Sequence, residues 1–335
     1  MKFQYLLIFI ISLFIIACED ITRQQTEENP NRNTAANLQL EKINKAIAKD
    51  GNDASLYQKR AQIYFQNEAM DEAVSDMNRA IQIDSLQGNY YSDLAEIYMF
   101  YYKSRLAVKT MEKAVRVLPE DIDLLLKKAE IELTLKMNDV SLESLSEALK
   151  KDPQNARAFF LSGLNFRDKG NLDGAISLFQ KAVDNDPDLI DAWIILGDLH
   201  DRKGDPIALK YFETAMDVDP NNIQALHSLA FYWQNHGKIY EAIEIYKKIN
   251  VLDPSYAEAY FNTGILYLEI DSFPQAYQHF NIAVNNSPTL AIAYYYRGLS
   301  SEKMNNFEGA KNDYNQALKF EPDLEAAIEA LENLK

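Results

Sequence analysis

The clearest alternation of apolar and polar positions lies in Ala156–Leu189, ARAFFLSGLNFRDKGNLDGAISLFQKAVDNDPDL. Phe159, Gly163 and Phe166 fall at i, i+4 and i+7, one face of an amphipathic helix. Gly170-Asn171 supplies a turn. Ala175, Phe179 and Ala182 repeat the stripe on a second helix. Asp186-Pro187 ends it, because proline has no N–H to donate and disfavours helix in the residue before it. Two short amphipathic helices cannot bury their apolar faces alone, whereas copies stacked side by side can.

The stretch is indeed repeated. Stop signals fall at Pro119, Pro153, Pro187, Pro220, Pro254, Pro288 and Pro322, 34 residues apart except for one interval of 33. Counting back one interval reaches Ser85 and defines eight units: 54–87, 88–121, 122–155, 156–189, 190–222, 223–256, 257–290 and 291–324. The short interval lies in the fifth, where Lys203-Gly204-Asp205-Pro206 predicts a shortened turn with Pro206 in the first turn of an intact second helix. A small residue recurs on every first helix: Ala61, Ala95, Ala129, Gly163, Gly197, Ala230, Gly264 and Gly298. A large one recurs on every second helix: Met77, Met111, Leu145, Phe179, Phe212, Tyr246, Phe280 and Tyr314. Alternating large and small residues is what interdigitated packing requires.

This period and these columns resemble the tetratricopeptide repeat (TPR) family. The resemblance covers residues 54–324. It implies an all-α, right-handed superhelical solenoid of about eight helix-turn-helix repeats, with a concave groove lined by first helices and with terminal capping helices. Leu38–Lys49, with Gln39, Ile43 and Ala46 in second-helix spacing, is the expected N-terminal cap within 38–53, and 325–335 the C-terminal one. Glu132 and Ser301 depart from the pattern at a column that is otherwise aromatic in most units, and Met137-Asn138-Asp139 replaces the usual Gly-Asp turn.

The N-terminus reads differently. After Lys2, Phe3–Ile16 is almost wholly apolar but shorter than the roughly 20 residues that span a bilayer. Ile15-Ile16-Ala17-Cys18 resembles the lipobox of bacterial lipoproteins, which implies a signal peptide over 1–17 and diacylation of Cys18. An ordinary signal peptide or an uncleaved anchor with an incidental cysteine is the other reading. Residues 18–37 are polar and without period, which suits a flexible lipidated tether with a reach of about 25 Å.

Composition narrows the function. The formal net charge of −16 argues against affinity for nucleic acid and against a polybasic membrane patch. The single cysteine excludes an internal disulfide. His200, His227, His236 and His279 form no paired metal motif, and neither a nucleophile elbow nor a phosphate-binding loop is present, so no catalytic site, metal or cofactor is implied.

In the TPR family the ligand lies in the concave groove. The positions that reach it are polar in the N-terminal half (Ser55, Gln58, Gln62, Asn89, Ser92, Glu96, Asp123, Glu130). From the fourth unit they turn apolar: Phe160, Leu164, Ile194, Phe231, Phe261, Ile265, Tyr295 and Leu299, with charges at Arg157, Arg167, Asp198, Arg202 and His227. Such a stripe suits an extended peptide or a partner helix, although the same positions also suit packing between adjacent first helices. Gln58 and Gln62 stand where some members grip a C-terminal carboxylate with Lys and Asn, so that clamp is absent. The expected molecule is a non-enzymatic adaptor, lipid-anchored in a bacterial cell envelope at the outer membrane, that takes a protein or peptide partner in its groove. It resembles lipoproteins that help assemble envelope machines such as pilus secretins or that dock cell-wall hydrolases. The alternative is a surface lipoprotein that captures a glycan or peptide.

Overall fold

The computed structural model describes residues 30–334; the expected signal peptide, Cys18 and the first part of the tether lie outside the described residues. Every regular element described is an α-helix. After α1 (Pro30–Lys49) come α2 (Ala54–Gln66) and α3 (Met70–Ile83), α4 (Gly88–Phe100) and α5 (Ser104–Val117), then α6 (Ile122–Thr134) and α7 (Asn138–Lys151). They are followed by α8 (Ala156–Asp168) and α9 (Leu172–Asn185), α10 (Ile190–Arg202) and α11 (Ala208–Val218), and α12 (Ile223–Asn235) and α13 (Ile239–Leu252). The last are α14 (Ala257–Glu269) and α15 (Phe273–Asn286), α16 (Ala291–Lys303) and α17 (Phe307–Phe320), and α18 (Glu325–Asn333). The chain is thus an all-α array of helical hairpins. Its contacts group into two bodies that divide at Lys127, inside α6. In the N-terminal body each helix from α1 to α5 packs on the next, and in the C-terminal body the same holds from α7 to α18.

Local chemistry sets the helix ends. Asn155, Asn171, Asn222 and Asn306 cap α8, α9, α12 and α17, their side-chain oxygens accepting the N–H of Ala158, Gly174, Ala225 and Gly309 at 2.9–3.0 Å. Asp186 closes α9 in an extended conformation (ψ 93°) ahead of Pro187. Within each hairpin one turn residue takes a positive φ: Glu68, Tyr102, Lys136, Gly170, Gly204, Gly237, Asp271 and Asn305, with φ from 54° to 76°. Only three of these eight are glycine, so the turn geometry is imposed by the hairpin, not by local preference.

Two expectations are corrected. The residue missing from the fifth unit shortens the helix, not the turn: α11 has 11 residues where its neighbours α9 and α13 have 14. Pro206 lies ahead of α11, in a separate tight turn where Asp205 accepts the N–H of Ile207 through its carboxylate (3.1 Å) and that of Ala208 through its carbonyl (3.1 Å). In addition, α1 begins at Pro30, inside the segment expected to be tether. Lack of an apolar period shows that a segment has no face to bury; it does not forbid a helix from continuing backwards from one that does.

The small and large columns meet inside each hairpin. A Cβ on Gly163, Gly197, Gly264 or Gly298 would lie 2.6–2.8 Å from the ring of Phe179, Phe212, Phe280 or Tyr314, too close for any real contact. Where the second helix offers the unbranched Met77 and Met111 or Leu145, the first carries Ala61, Ala95 and Ala129, and all six are fully buried. Ala230 opposite Tyr246 is the exception, and its ring is held by a polar network described below. Aromatic residues at the fourth position of several units add a second tie. Tyr57, Tyr91 and Tyr294 hydroxyls and the Trp193 indole N–H donate to the carbonyls six residues earlier, at 2.8–3.2 Å, fixing the incoming linker against the first helix.

This complementarity predicts a coupled pair. Gly163→Ala should destabilise by about 1–3 kcal/mol through overpacking, and Phe179→Leu through the space it leaves. The double variant should lose less than the sum of the two, by a coupling of at least about 0.5 kcal/mol. Urea unfolding of the four proteins checks this, and strict additivity would refute it.

Candidate ligand surface on the first helices

The candidate residues lie on α8, α10, α12, α14 and α16, all in the C-terminal body. Within it α10 contacts α12 and α14 contacts α16, so alternate helices of the array are neighbours. Phe160, Leu164, Ile194, Phe231, Phe261, Ile265, Tyr295 and Leu299 are all half-buried. Their inner edges pack. Phe160 sits edge-on to Phe179 at 5.6 Å. Phe261 touches Phe280 and Tyr296, both at 5.7 Å, and Tyr295 meets Tyr314 at 5.6 Å. Three of these contacts lie within one repeat and that of Phe261 with Tyr296 joins two, so the row packs inward and keeps a partly exposed apolar edge.

The charges are more committed than their spacing suggested. Arg157 is exposed, but its guanidinium donates to Glu130 at 2.6 Å. Asp198 accepts from Arg202, one turn on, at 2.8 Å. Arg167 is half-buried, 3.9 Å from Asp168, and burial pulls its pKa below the ordinary guanidinium value against the opposing pull of Asp168 and Asp198. Burial raises the Asp201 carboxyl, with His236 3.6 Å away opposing the shift. The outcome is an ionic band along the ends of α8, α10 and α12.

His227 is not a charge at neutral pH, which corrects its place among the groove charges. Burial lowers its pKa to about 4. Its ring lies between Tyr246 (5.7 Å) and Tyr256 (5.9 Å), and its Nε2 meets the Asn262 amide at 3.2 Å. That amide also donates to the Tyr246 hydroxyl (3.2 Å), which donates to Gln234 (3.3 Å). Burial raises the pKa of both tyrosines, that of Tyr256 to about 12.

Two partly buried ion pairs escaped the sequence reading, and a third polar site sits at a departure it noted. Arg60 grips Asp76 with two bonds of 2.6 and 2.7 Å and Asn44 with a third of 2.7 Å. Arg297 repeats the arrangement with Asp313 and Asn281. Comparing each column at its two ends, Arg60 with Arg297 and Asp76 with Asp313, would have exposed this pair. Asn44 of α1 thereby stands where a second helix places Asn281, which gives α1 the role of a second helix without its first. Glu132, the missing aromatic, is buried at 1% exposure and held by Lys128 (2.8 Å) and the Ser144 hydroxyl (2.8 Å). Ser301, in the same column, keeps a buried hydroxyl with no partner. An open cleft of about 570 Å³ lined by Tyr57, Arg60, Asp76 and Arg79 lies between α2 and α3, away from the apolar row. Among the described residues there is no cluster of three metal-ligating side chains and no helix long and apolar enough to cross a membrane.

Models of the tetratricopeptide repeat match residues 54–85, 126–190 and 291–324, so the chain contains TPR units. It is 28% identical over 148 residues to the probable UDP-N-acetylglucosamine–peptide N-acetylglucosaminyltransferase SPINDLY of Hordeum vulgare, a match covering 44% of this chain and 13% of that protein. It is 24% identical over 193 residues to the BBSome complex member BBS4 of Bos taurus, covering 47% and 37%. The chain thus spans well under half the length of these relatives. Among solved structures it is similar to the APC/C hetero-tetramer Cut9-Hcn1 (TM-score 0.56, 17% identity, 85% of this chain and 56% of that one). It is similar also to the C-terminal part of a TPR repeat-containing protein from Cytophaga hutchinsonii (0.56, 16%, 73% and 99%). Pseudomonas aeruginosa pilF gives 0.55 at 15% identity, over 63% and 97%. At these identities the likeness concerns the fold.

The His227 network predicts an acid-sensitive element. Its pKa lies below the ordinary 6.5, so unfolding takes up a proton between pH 6.5 and about 4. The stability from keeping the ring neutral is fully present above pH 6.5 and is lost as pH falls towards 4. His227→Gln should therefore show a smaller fall in Tm between pH 7 and 4.5 than the parent chain, and an equal fall would refute the assignment.

Proposed function

We propose that the protein is a binding scaffold that holds a segment of a partner protein against the first-helix row of its C-terminal body. One observation carries this reading: eight apolar side chains from α8 to α16 are half-buried, edged by ion pairs, and are not sealed by any described part of the chain. Apolar anchors with a polar rim suit an extended peptide or an amphipathic helix, which gains affinity from the anchors and register from the rim. Repeats of this type occur in proteins whose names place them in assemblies, a BBSome member and an APC/C hetero-tetramer, which supports a scaffolding reading.

The proposal extends to location. Cys18 would carry lipid and hold the protein in a bacterial envelope, at the outer membrane, with the residues before α1 giving it reach. The partner would then be a component of an envelope assembly.

Phe261 packs on Phe280 and Tyr296, so alanine there would confuse loss of ligand with loss of fold. A photo-reactive phenylalanine analogue at Phe231 or Phe261 keeps the ring. Crosslinking in cells should join these two positions to one discrete partner, with Gln278 on the outward side of α15 as control. Equal crosslinking from Gln278, or capture of glycan and not protein, would overturn the reading. Separately, Cys18→Ser should abolish incorporation of labelled fatty acid and move the protein out of the membrane fraction. An unchanged label would refute lipidation.

A further inference from the structure

The net charge of −16 conceals one strongly basic surface. On α5, Ala107, Met111 and Ala114 are buried, and the opposite stripe carries Arg105, Lys109, Lys113 and Arg116, all exposed, against Glu112 alone. The same outward positions of α7 are Asp139, Glu143, Glu147 and Lys150, and those of α3 are Asp71, Ser75, Arg79 and Gln82. Arg105, Lys109 and Arg116 make no ion pair among the described residues.

The turn that leads into α5 is equally unusual. Tyr102 holds the left-handed turn position (φ 54°), where a bulky side chain is strained, and it is 94% exposed. Phe100 is 50% and Leu106 40% exposed beside it. Lys103 lies over the Tyr101 ring at 3.5 Å and 3.8 Å from Asp71, so the turn itself is held in place.

Phe100 packs edge-on against Phe65 at 5.1 Å and Lys113 lies 5.7 Å over the Tyr91 ring, but the rest of the two features does not serve the fold. Cations at i, i+4 and i+8 repel one another, and Arg105 in the first turn opposes the helix dipole. Tyr102 gains no packing for its strain. Together they make an amphipathic surface of four cations with an aromatic and aliphatic tip, the chemistry that places aromatic rings at headgroup depth and basic side chains on lipid phosphates. We propose that the outer face of α5, with the turn Phe100–Leu106, is a docking surface for an anionic lipid bilayer. An acidic protein would complement the four cations but would give the exposed Tyr102 and Leu106 no reason to project beside them. The proposal rests on the envelope reading only for how the chain comes near a membrane. The surface lies in the body that follows the expected anchor.

Tyr102→Trp tests contact whatever else tethers the chain. The full chain carrying it is mixed with vesicles of brominated phosphatidylglycerol and phosphatidylcholine, or of brominated phosphatidylcholine alone, with the parent chain (Trp193, Trp233) as baseline. The expected result is extra quenching on the anionic vesicles only. High salt should remove it, and adding Arg105→Glu with Lys109→Glu should weaken it about tenfold or more. Helical circular dichroism checks that each variant is folded. Equal quenching on neutral vesicles, no quenching on anionic ones, or indifference to the charge reversals would overturn the proposal. So would low-salt self-association that the reversals abolish without any quenching, which would assign the face to a second copy of the chain. Failure of Cys18 lipidation would leave this readout intact and is detected by the fatty-acid label instead.

Discussion

Everything in this molecule depends on how closely two short helices can cross. A helix of thirteen or fourteen residues is marginal in water by itself, and the hairpins survive because a small residue on the first helix admits a large one from the second. At Gly163 and Phe179 the fit leaves no room even for a methyl group. The pair also fixes rotation. With its small residue turned into the crossing, a first helix must turn the residues three before it and one after it, about 60–100° round the helix, towards its neighbours and the open face. The apolar row is thus a consequence of the packing geometry, and its half-burial is expected of residues that flank a crossing.

The repeat was legible because every unit buries the same columns, so each position was in effect read eight times. What the period could not show is how a unit absorbs an irregularity. The residue lost from the fifth unit was assigned to the turn, since turns tolerate deletion, yet the structure keeps the turn and gives up helix. The left-handed residue Gly204 and the bonds around Asp205 explain the choice: the turn sets the angle of the hairpin, whereas a helix beginning three residues late still presents Ala208, Phe212 and Ala215 to the core. Conversely, five of the eight turns hold a residue other than glycine in the same conformation, so composition alone would not have found them.

The site was less legible for a different reason. Spacing tells which side of a helix a residue occupies but not what meets it there. Arg157, Asp198 and His227 all satisfied the spacing, and the structure gives them three fates: an exposed ion pair with Glu130, a one-turn pair with Arg202, and a neutral ring in a partly buried network. Glu132 shows the reverse. It broke the aromatic column and looked like a packing fault, but Lys128 and Ser144 supply the charge and the hydrogen bond that let a carboxylate fill a buried place.

The same distinction separates net charge from local charge. A total of −16 describes the field at distances beyond roughly 10 Å, where salt has largely screened it. A surface that meets a partner at contact range responds only to the side chains within that range. In a solenoid each unit meets only its neighbours, so one helix can carry a charge opposite to the rest with little cost to the fold. The basic stripe of α5 and the apolar row of α8 to α16 sit on different elements of different bodies, each set by its own few positions. The repeat therefore allows two surfaces of unlike chemistry on one chain, because the buried columns that build the architecture leave the outward ones free to differ.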